Sequence, residues 1–228
     1  MSDLIDATEM YLRTLYELEE EGIRPIRARL VERLHLSAPA VSETVARLTD
    51  EGLMHLREDR TVELTDEGRA RAVSVMRKHR LAERLLVDVI GLRWDLVHAE
   101  ACRWEHVISD EVEQRLVTVL DAPTHDAHGN PIPGLGPASE PSDLLSLADA
   151  AAEDAPVVVD RISEHLQADV TAIASLFEQG LLPGTRLMAH TDGDAVVVET
   201  AEATVRLGLD AARFVYVRPE VAASAEPR

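Results

Sequence analysis

The sequence has 228 residues, of which 46% are hydrophobic and 29% are charged. This composition is typical of globular proteins and argues against wholesale disorder, and the length favours two or three domains. No apolar run approaches the roughly 20 residues of a membrane helix, the acidic start Met1-Ser2-Asp3 is unlike a signal peptide, and one cysteine rules out an internal disulfide. We therefore expect a cytoplasmic protein. The net charge of −19 argues against a large nucleic-acid-coating surface but allows a local basic patch.

Residues 1–74 have the pattern of a winged helix-turn-helix domain. The predicted elements are, in chain order, helices 3–21, 26–34 and 38–51 and two short extended runs, 53–57 and 61–64. On the last of these helices, Val41, Val45 and Leu48 recur at helical spacing and form the stripe expected to be buried.

The other face of the helix 38–51 is predicted to enter a DNA major groove, because its side chains are small or hydrogen-bonding. These residues are Ser37, Pro39, Ala40, Ser42, Glu43, Thr44 and Arg47. Arg27 and Arg29, with Ala28 between them, and Arg60 in the wing are placed to meet phosphates. A winged helix that serves protein contacts is the alternative.

The remainder of the chain completes a fold that is mainly α with a small β domain. Residues 75–140 contain predicted helices that end near Ile90, Ile108 and Asp121, and we interpret them as a helical metal-binding and dimerisation domain. Residues 141–156 are predicted to be a Pro/Ala-rich linker. Residues 157–228 alternate β-branched runs with turns, which predicts a small β-barrel or sandwich with one helix, 167–179.

Residue types that bind metals are concentrated in the centre of the chain. At helical spacing on two predicted helices lie His79, Glu83, His98, Cys102, Glu105 and His106. Singly, such residues are more often a solvated His or Glu or a buried thiol, but two facing sets would form a metal site. Nitrogen, oxygen and a single sulfur suit the divalent metals from Fe²⁺ to Ni²⁺. No HExxH signature, Ser/His/Asp order or phosphate-binding glycine loop indicates an enzyme.

Segments 3–14, 77–86, 100–107 and 129–134 resemble the diphtheria toxin repressor family of iron-dependent transcriptional repressors. The resemblance covers residues 1–140 almost without a gap and weakens beyond them, where the family has an SH3-like β-barrel. It implies a homodimer that binds double-stranded DNA at a palindromic operator and represses iron-uptake or metal-homeostasis genes. The implied cofactor is Fe²⁺, with Co²⁺, Ni²⁺, Mn²⁺ or Zn²⁺ as substitutes, and no membrane or small-molecule substrate is implied.

The resemblance also implies two metal sites in each subunit. The regulatory ligands would be Met10, Cys102, Glu105 and His106. The ancillary ligands would be His79, Glu83 and His98, which the family completes with a Glu and a Gln from its third domain. Alignment of the segment 167–172 puts Asp169 at the Glu position and Ala172 at the Gln position, which implies a weaker ancillary site. Met10 and Cys102 resemble the iron-sensing branch, because the manganese-sensing branch has carboxylates there.

A metal held by Met10 together with the segment 102–106 would couple the DNA-binding domain to the dimerisation domain. Replacing Met10 or Glu105 is therefore predicted to abolish metal-dependent DNA binding while the dimer stays folded. Glu43 and Asp50 stand where the iron repressors have Gln and Arg, which predicts either an altered operator or an unchanged one with both acids facing solvent. A manganese or other divalent-metal sensor and a metal-buffering protein that no longer binds DNA are further alternatives, whereas no general base or substrate pocket favours a metalloenzyme.

Overall fold

The computed structural model describes residues 2–136, 144–153 and 155–220, with side chains from Ala7 onward. Contacts divide the chain into two compact units. The first comprises Met1–Leu92, Ala99–Asp126 and Pro131–Ala138, and the second comprises Arg93–His98, Ala127–Asn130 and Ser139–Arg228. Helices dominate the first unit and an antiparallel sheet the second, so the predicted fold class is confirmed. None of the helices within the described ranges combines the length and apolarity needed to cross a membrane.

The first unit begins with the predicted winged helix-turn-helix. Its elements are α1 (Ser2–Glu20), α2 (Arg27–Leu34), α3 (Ala38–Asp50), β1 (Met54–Leu56) and β2 (Val62–Leu64). The predicted stripe of α3, which is Val41, Val45 and Leu48, is buried in one hydrophobic cluster with the apolar face of α1. Helix α3 starts after Ser37, whose hydroxyl accepts a hydrogen bond from the amide of Ala40.

The wing formed by β1 and β2 packs closely against the next helix, α4 (Asp66–Leu85). A Cβ atom at Gly68 would lie 2.0 Å from the carbonyl oxygen of Leu53, so only glycine allows this approach of two backbones. Thr65 caps α4 by accepting a hydrogen bond from the amide of Gly68. The predicted boundary between residues 74 and 75 falls inside α4, so one continuous helix crosses the boundary between the first two predicted domains.

Beyond α4 the helical block is shorter than predicted. A π-helical turn, Leu86–Ile90, is followed by a 3-10 turn, Trp94–Leu96, and by α5 (Val97–Trp104) and α6 (Asp110–Val119). The helix predicted to reach Ile108 therefore ends at Trp104, and Glu105 and His106 lie in the turn after α5. The expectation that they continue one helix face with His98 and Cys102 is wrong.

The second unit is built on six antiparallel strands in the order β3-β8-β4-β5-β6-β7. The strands are β3 (Leu145–Ser146), β4 (Val157–Ile162), β5 (Arg186–Asp192), β6 (Ala195–Glu199), β7 (Thr204–Gly208) and β8 (Val215–Pro219). Because β3 and β7 are the two outer strands, the sheet of the described residues is open, and the predicted closed SH3-like barrel is corrected to this extent. The short helices of this unit are α7 (Leu147–Ala150), α8 (Glu164–Gln167), α9 (Val170–Glu178) and α10 (Leu209–Ala212).

Two predictions for the second unit are corrected. The predicted linker 141–156 contains β3 and α7, and Leu147 is fully buried, although residues 141–143 and 154 of that linker lie outside the described residues. The single helix predicted at 167–179 is two helices, α8 and α9. They are separate because Asp169 adopts an extended conformation between them and caps α9.

Two short segments from the centre of the chain fold with the second unit. Trp94 stacks on Phe177 with a ring separation of 6.1 Å and donates a hydrogen bond to the carbonyl of Ala127. Asn130 donates a hydrogen bond to the carbonyl of Ile162 at 2.9 Å. Gly129 has φ +88° and its Cα faces the backbone of β4, where any side chain would collide. The first two residues of the segment 129–134 therefore pack against the strand β4.

Candidate metal centre

The carboxylate of Glu105 is the centre of a buried group of charged side chains in the first unit. Glu105 is 1% exposed. Its Oε1 and Oε2 accept hydrogen bonds from Nη1 of Arg13 at 2.8 and 2.6 Å. Nδ1 of His79 lies 2.6 Å from Oε2, and Nε2 of His106 lies 3.3 Å from Oε1. Helices α1 and α4 and the turn after α5 each contribute a side chain to this one carboxylate.

A second layer of partners surrounds these contacts. Nε of Arg13 donates to Glu17 at 2.6 Å, and Nη1 of Arg13 lies 3.4 Å from Sγ of Cys102. We call the whole group the Glu105 cluster; its members are Glu9, Arg13, Glu17, His79, Glu83, Cys102, Glu105 and His106. Nε2 of His79 lies 3.0 Å from Glu83, and Nδ1 of His106 lies 2.5 Å from Glu9.

The charges of the cluster stabilise one another. Burial raises the pKa of Glu105, but the charge of Arg13 and the hydrogen bond with His79 outweigh burial and lower this pKa to about 2. Burial and Arg13 lower the pKa of His79, whereas Glu83 and hydrogen bonds to Cys102 and Glu105 raise it, and the net pKa is well above its ordinary value. Burial lowers the pKa of Arg13, but Glu105 and Cys102 raise it well above the ordinary value. Glu105 is therefore ionised near neutral pH.

The donor atoms of the cluster suit a transition metal. Sγ of Cys102 and a ring nitrogen of His79 lie within 4.8 Å of each other, and Glu105 contacts both His79 and His106. Sulfur, imidazole nitrogen and carboxylate oxygen are thus available from a few residues on two helices and a turn. This donor set fits the divalent ions from Fe²⁺ to Ni²⁺ and not a hard ion such as Mg²⁺ or Ca²⁺.

The predicted regulatory and ancillary ligands are not separate in the structure. Cys102, Glu105 and His106 are brought together, and His79, assigned to the other site, is hydrogen-bonded to Glu105. Met10 is half-buried on α1, three residues before Arg13 and therefore on the same helix face. His98 lies one turn before Cys102 on α5, but it belongs to the second unit. Arg13, Glu9 and Glu17 were missed, because charged residues on an amphipathic helix are normally expected to face solvent.

The predicted third-domain ligand Asp169 has a different role. Its Oδ1 accepts hydrogen bonds from the amides of Thr171 and Ala172 at 3.0 Å each, and the residue is exposed. This carboxylate caps a helix in the second unit, and this structural role of an acidic residue at position 169 requires no metal. The ligand role predicted for Asp169 stays a prediction beside this capping role.

A buried Glu and Gln occur instead on the preceding short helix, α8. Glu164 is 4% exposed and Gln167 is 2% exposed. Nε2 of Gln167 donates to the carbonyl of Ile162 at 2.7 Å, whereas its Oε1 has no hydrogen-bond partner among the described residues. Because an unsatisfied buried oxygen is costly, Oε1 of Gln167 is expected to accept a further hydrogen bond or bind a ligand. The i, i+3 spacing of Glu164 and Gln167 directly after a β-branched strand was a signal that the sequence offered.

The predicted DNA-contacting residues lie on α2, on α3 and its N-cap, and in the wing. All are exposed or half-buried: Arg27, Ala28, Arg29, Ser37, Pro39, Ala40, Ser42, Glu43, Thr44, Arg47 and Arg60. Arg29 is paired with Glu32 at 2.6 Å and Arg47 with Glu51 at 2.7 Å. Within the described ranges, Arg27 and Arg60 form no ion pair, so these two cations are available to a phosphate backbone.

Helix α1 touches both the candidate DNA-binding helix and the Glu105 cluster. Its apolar face packs in the same hydrophobic cluster as the buried stripe of α3. Nη2 of Arg47 on α3 donates a hydrogen bond to Oγ1 of Thr8 at 3.4 Å, and the next residue, Glu9, contacts His106. A change in how α1 meets the turn after α5 would therefore reach α3 directly.

Comparisons with known proteins identify one family of relatives. Residues 3–62 match the family described as "Iron dependent repressor, N-terminal DNA binding domain", and residues 65–134 match "Iron dependent repressor, metal binding and dimerisation domain". The iron-dependent repressor IdeR of Mycobacterium tuberculosis is 49% identical over 227 residues, which cover 95% of this chain and 99% of that protein. The diphtheria toxin repressor of Corynebacterium glutamicum is 50% identical over 223 residues, covering 95% and 98%. The solved structure titled "Manganese-dependent transcriptional repressor complex with manganese" has a TM-score of 0.77 at 31% identity, covering 93% and 99%.

Proposed function

Because the chain belongs to the iron-dependent repressor family, a family of metal-dependent transcriptional repressors, we propose that Fe²⁺ binding at the Glu105 cluster activates it for operator binding. The observation that carries this proposal is the double role of α1, which contacts α3 through Thr8 and the cluster through Glu9 and Arg13. We propose that the protein acts in the cytoplasm as a repressor of iron-uptake or metal-homeostasis genes.

We propose that the regulatory ligands are Met10, Cys102, Glu105 and His106. These residues would hold the metal, and bound metal would supply coordination bonds between α1 and the segment 102–106. Glu105 stays ionised for this role, and its hydrogen bond with His79 and its 3.3 Å contact with His106 hold the carboxylate in one orientation. A ligand set shared by two segments stabilises only the arrangement in which these segments meet, so metal binding shifts the chain toward that arrangement.

The metal proposed is Fe²⁺, with Co²⁺, Ni²⁺, Mn²⁺ and Zn²⁺ as substitutes. The thioether of Met10 and the thiol of Cys102 favour a softer ion than the all-oxygen set that Mn²⁺ prefers. The names of the relatives support iron, whereas the name of the structural neighbour is that of a manganese-dependent repressor. Manganese sensing is therefore the alternative, and the metal titration described below distinguishes it from iron sensing.

For the ancillary site we propose His79, Glu83 and His98. We propose Asp169 for the third-domain Glu that the family resemblance implies, and Glu164 and Gln167 of α8 are the alternative for its Glu and Gln. The burial of Glu164 and Gln167 and the unsatisfied Oε1 of Gln167 support this alternative. The weaker ancillary site expected from Ala172 follows only if Gln167 is not the ligand.

The operator is proposed to be a palindrome read by a dimer. Exposed apolar side chains in the helical block suit the dimerisation that the family domain is named for: Val89, Ile90, Val107, Val112 and Val119. In α3, Glu43 and Asp50 are both exposed, so both alternatives for the operator sequence stay predictions.

Fluorescence anisotropy of a labelled palindromic operator, titrated with the protein under each divalent metal, tests the proposal. We expect tight binding with Fe²⁺ under anaerobic conditions and with Co²⁺ or Ni²⁺, and weak binding in the presence of a chelator. A larger response to Mn²⁺ than to Fe²⁺ would favour the manganese alternative. No binding under any metal, with metal still taken up, would instead favour a metal-buffering protein.

Arg27→Ala is expected to weaken binding to all DNA sequences and to lower the slope of log K against log salt by about one unit. The reason is that Arg27 has no ion pair in the described structure and can neutralise one phosphate. The matched control is Arg29→Ala on the same helix, because Arg29 is already paired with Glu32 and should have a smaller effect. A loss confined to one operator sequence would show that Arg27 reads bases.

A further inference from the structure

On the basis of the metal site proposed above, we infer that Arg13 is an internal cation that competes with the metal for Glu105 and Cys102. In the chain without metal, its guanidinium holds α1 to the turn after α5 and neutralises the buried carboxylate. Metal binding then requires Nη1 of Arg13 to leave these two side chains. Arg13 in this way sets the concentration of metal at which the protein responds.

The tip of the Arg13 side chain lies between two of the proposed ligands. Nη1 is 2.8 and 2.6 Å from the two oxygens of Glu105 and 3.4 Å from Sγ of Cys102. The side chains of Arg13 and Glu105 are 5% and 0% exposed, so neither charge is screened by solvent. A cation bound to both Glu105 and Cys102 would have to occupy space next to this nitrogen.

The contacts of Glu105 already involve both of its carboxylate oxygens. An ionised carboxylate offers about four lone-pair directions. Arg13 uses two of them, and His79 and His106 lie at the other two contacts. A histidine can present a nitrogen lone pair to a metal, but a guanidinium has only donors and keeps its charge. Of the three partners, Arg13 is therefore the one that must withdraw.

The structure also contains a place for the displaced charge. Nε of Arg13 already donates to Glu17, one turn further along α1, at 2.6 Å. Glu17 is 8% exposed, and it stays close to Arg13 whatever happens to Glu105 because both are on the same helix. Glu17 can retain the guanidinium while Nη1 turns away from Glu105.

Arg13→Met, which removes the charge and keeps much of the length, tests the inference. Co²⁺ titration followed by the thiolate-to-metal absorption of Cys102 and by calorimetry should show affinity about tenfold or more above that of the native chain, because a nearby like charge is gone. The matched control is Arg33→Met, since the Arg33 side chain is also only 7% exposed and forms an ion pair with a carboxylate, that of Glu21, which is not among the proposed ligands. This control should leave Co²⁺ affinity unchanged.

Equal or weaker Co²⁺ affinity in Arg13→Met, with normal binding by the native chain, would overturn the competition and leave the proposed function intact. Absence of a Cys102-dependent absorption in the native chain would overturn both. Arg13→Lys retains the charge and should stay near native affinity; a gain equal to that of Arg13→Met would show that charge is not the cause. If Arg13→Met unfolds without metal but folds when Co²⁺ is added, the metal has replaced the missing charge, which supports the inference.

Discussion

Glu105→Ala is expected to lower the free energy of unfolding of the metal-free protein by about 3–5 kcal/mol. The substitution leaves the buried cation of Arg13 without its main partner and removes the acceptor of His79 and a contact of His106. Urea denaturation in the presence of a chelator measures this change. From sequence alone, the same variant is predicted to stay folded and to lose only metal-dependent DNA binding. The structure adds the expectation that it also loses stability.

Two comparisons make the Glu105 result specific. Glu105→Gln keeps the shape and a carbonyl acceptor, so it should destabilise the protein less than alanine does. Glu63→Ala removes a carboxylate from an exposed pair with Arg57 in the wing and should have no measurable effect. Native stability in Glu105→Ala would contradict the view that this carboxylate organises the buried charges.

The elements of the DNA-binding domain could be predicted from sequence because their signals are local. Val41, Val45 and Leu48 recur with the period of a helix, and Ser37 followed by Pro39 marks the start of that helix. The residue types of the metal centre could be found in the same way, since His79 and Glu83 are one turn apart on α4. Nothing beyond spacing within a segment was needed for these predictions.

Long-range pairing explains what the sequence could not show. The inward direction of Arg13 depends on the position of Glu105, which is 92 residues away in the chain. Likewise Gly129 belongs with β4 because the backbone of Asp160 lies against it, and no local pattern indicates that partner. The capping role of Asp169 also became visible only in the structure, where the amides of Thr171 and Ala172 donate to its carboxylate.

Met10→Ala is expected to abolish the dependence of operator binding on metal while it leaves the fold nearly unchanged. Met10 is half-buried on α1, so its truncation leaves a partly open space and not a closed cavity. If Met10 is a ligand, its loss removes the bond that attaches α1 to the metal. Changes to groups that only support a ligand already cost about 10–100-fold in metal affinity, so loss of the ligand should shift the Co²⁺ response by more than about tenfold.

Anisotropy with the labelled operator, with Co²⁺ and with a chelator, measures the Met10 effect. Met188→Ala is the matched control, because Met188 is also half-buried but lies on β5 in the second unit. The comparison with Glu105→Ala separates the two roles of the cluster: Met10→Ala should lose metal activation at native stability, whereas Glu105→Ala should lose both. An operator affinity that still rises with Co²⁺ in Met10→Ala would mean that α1 is held to the turn after α5 by Arg13 and Glu9 alone, and that the metal acts on α3 by another route.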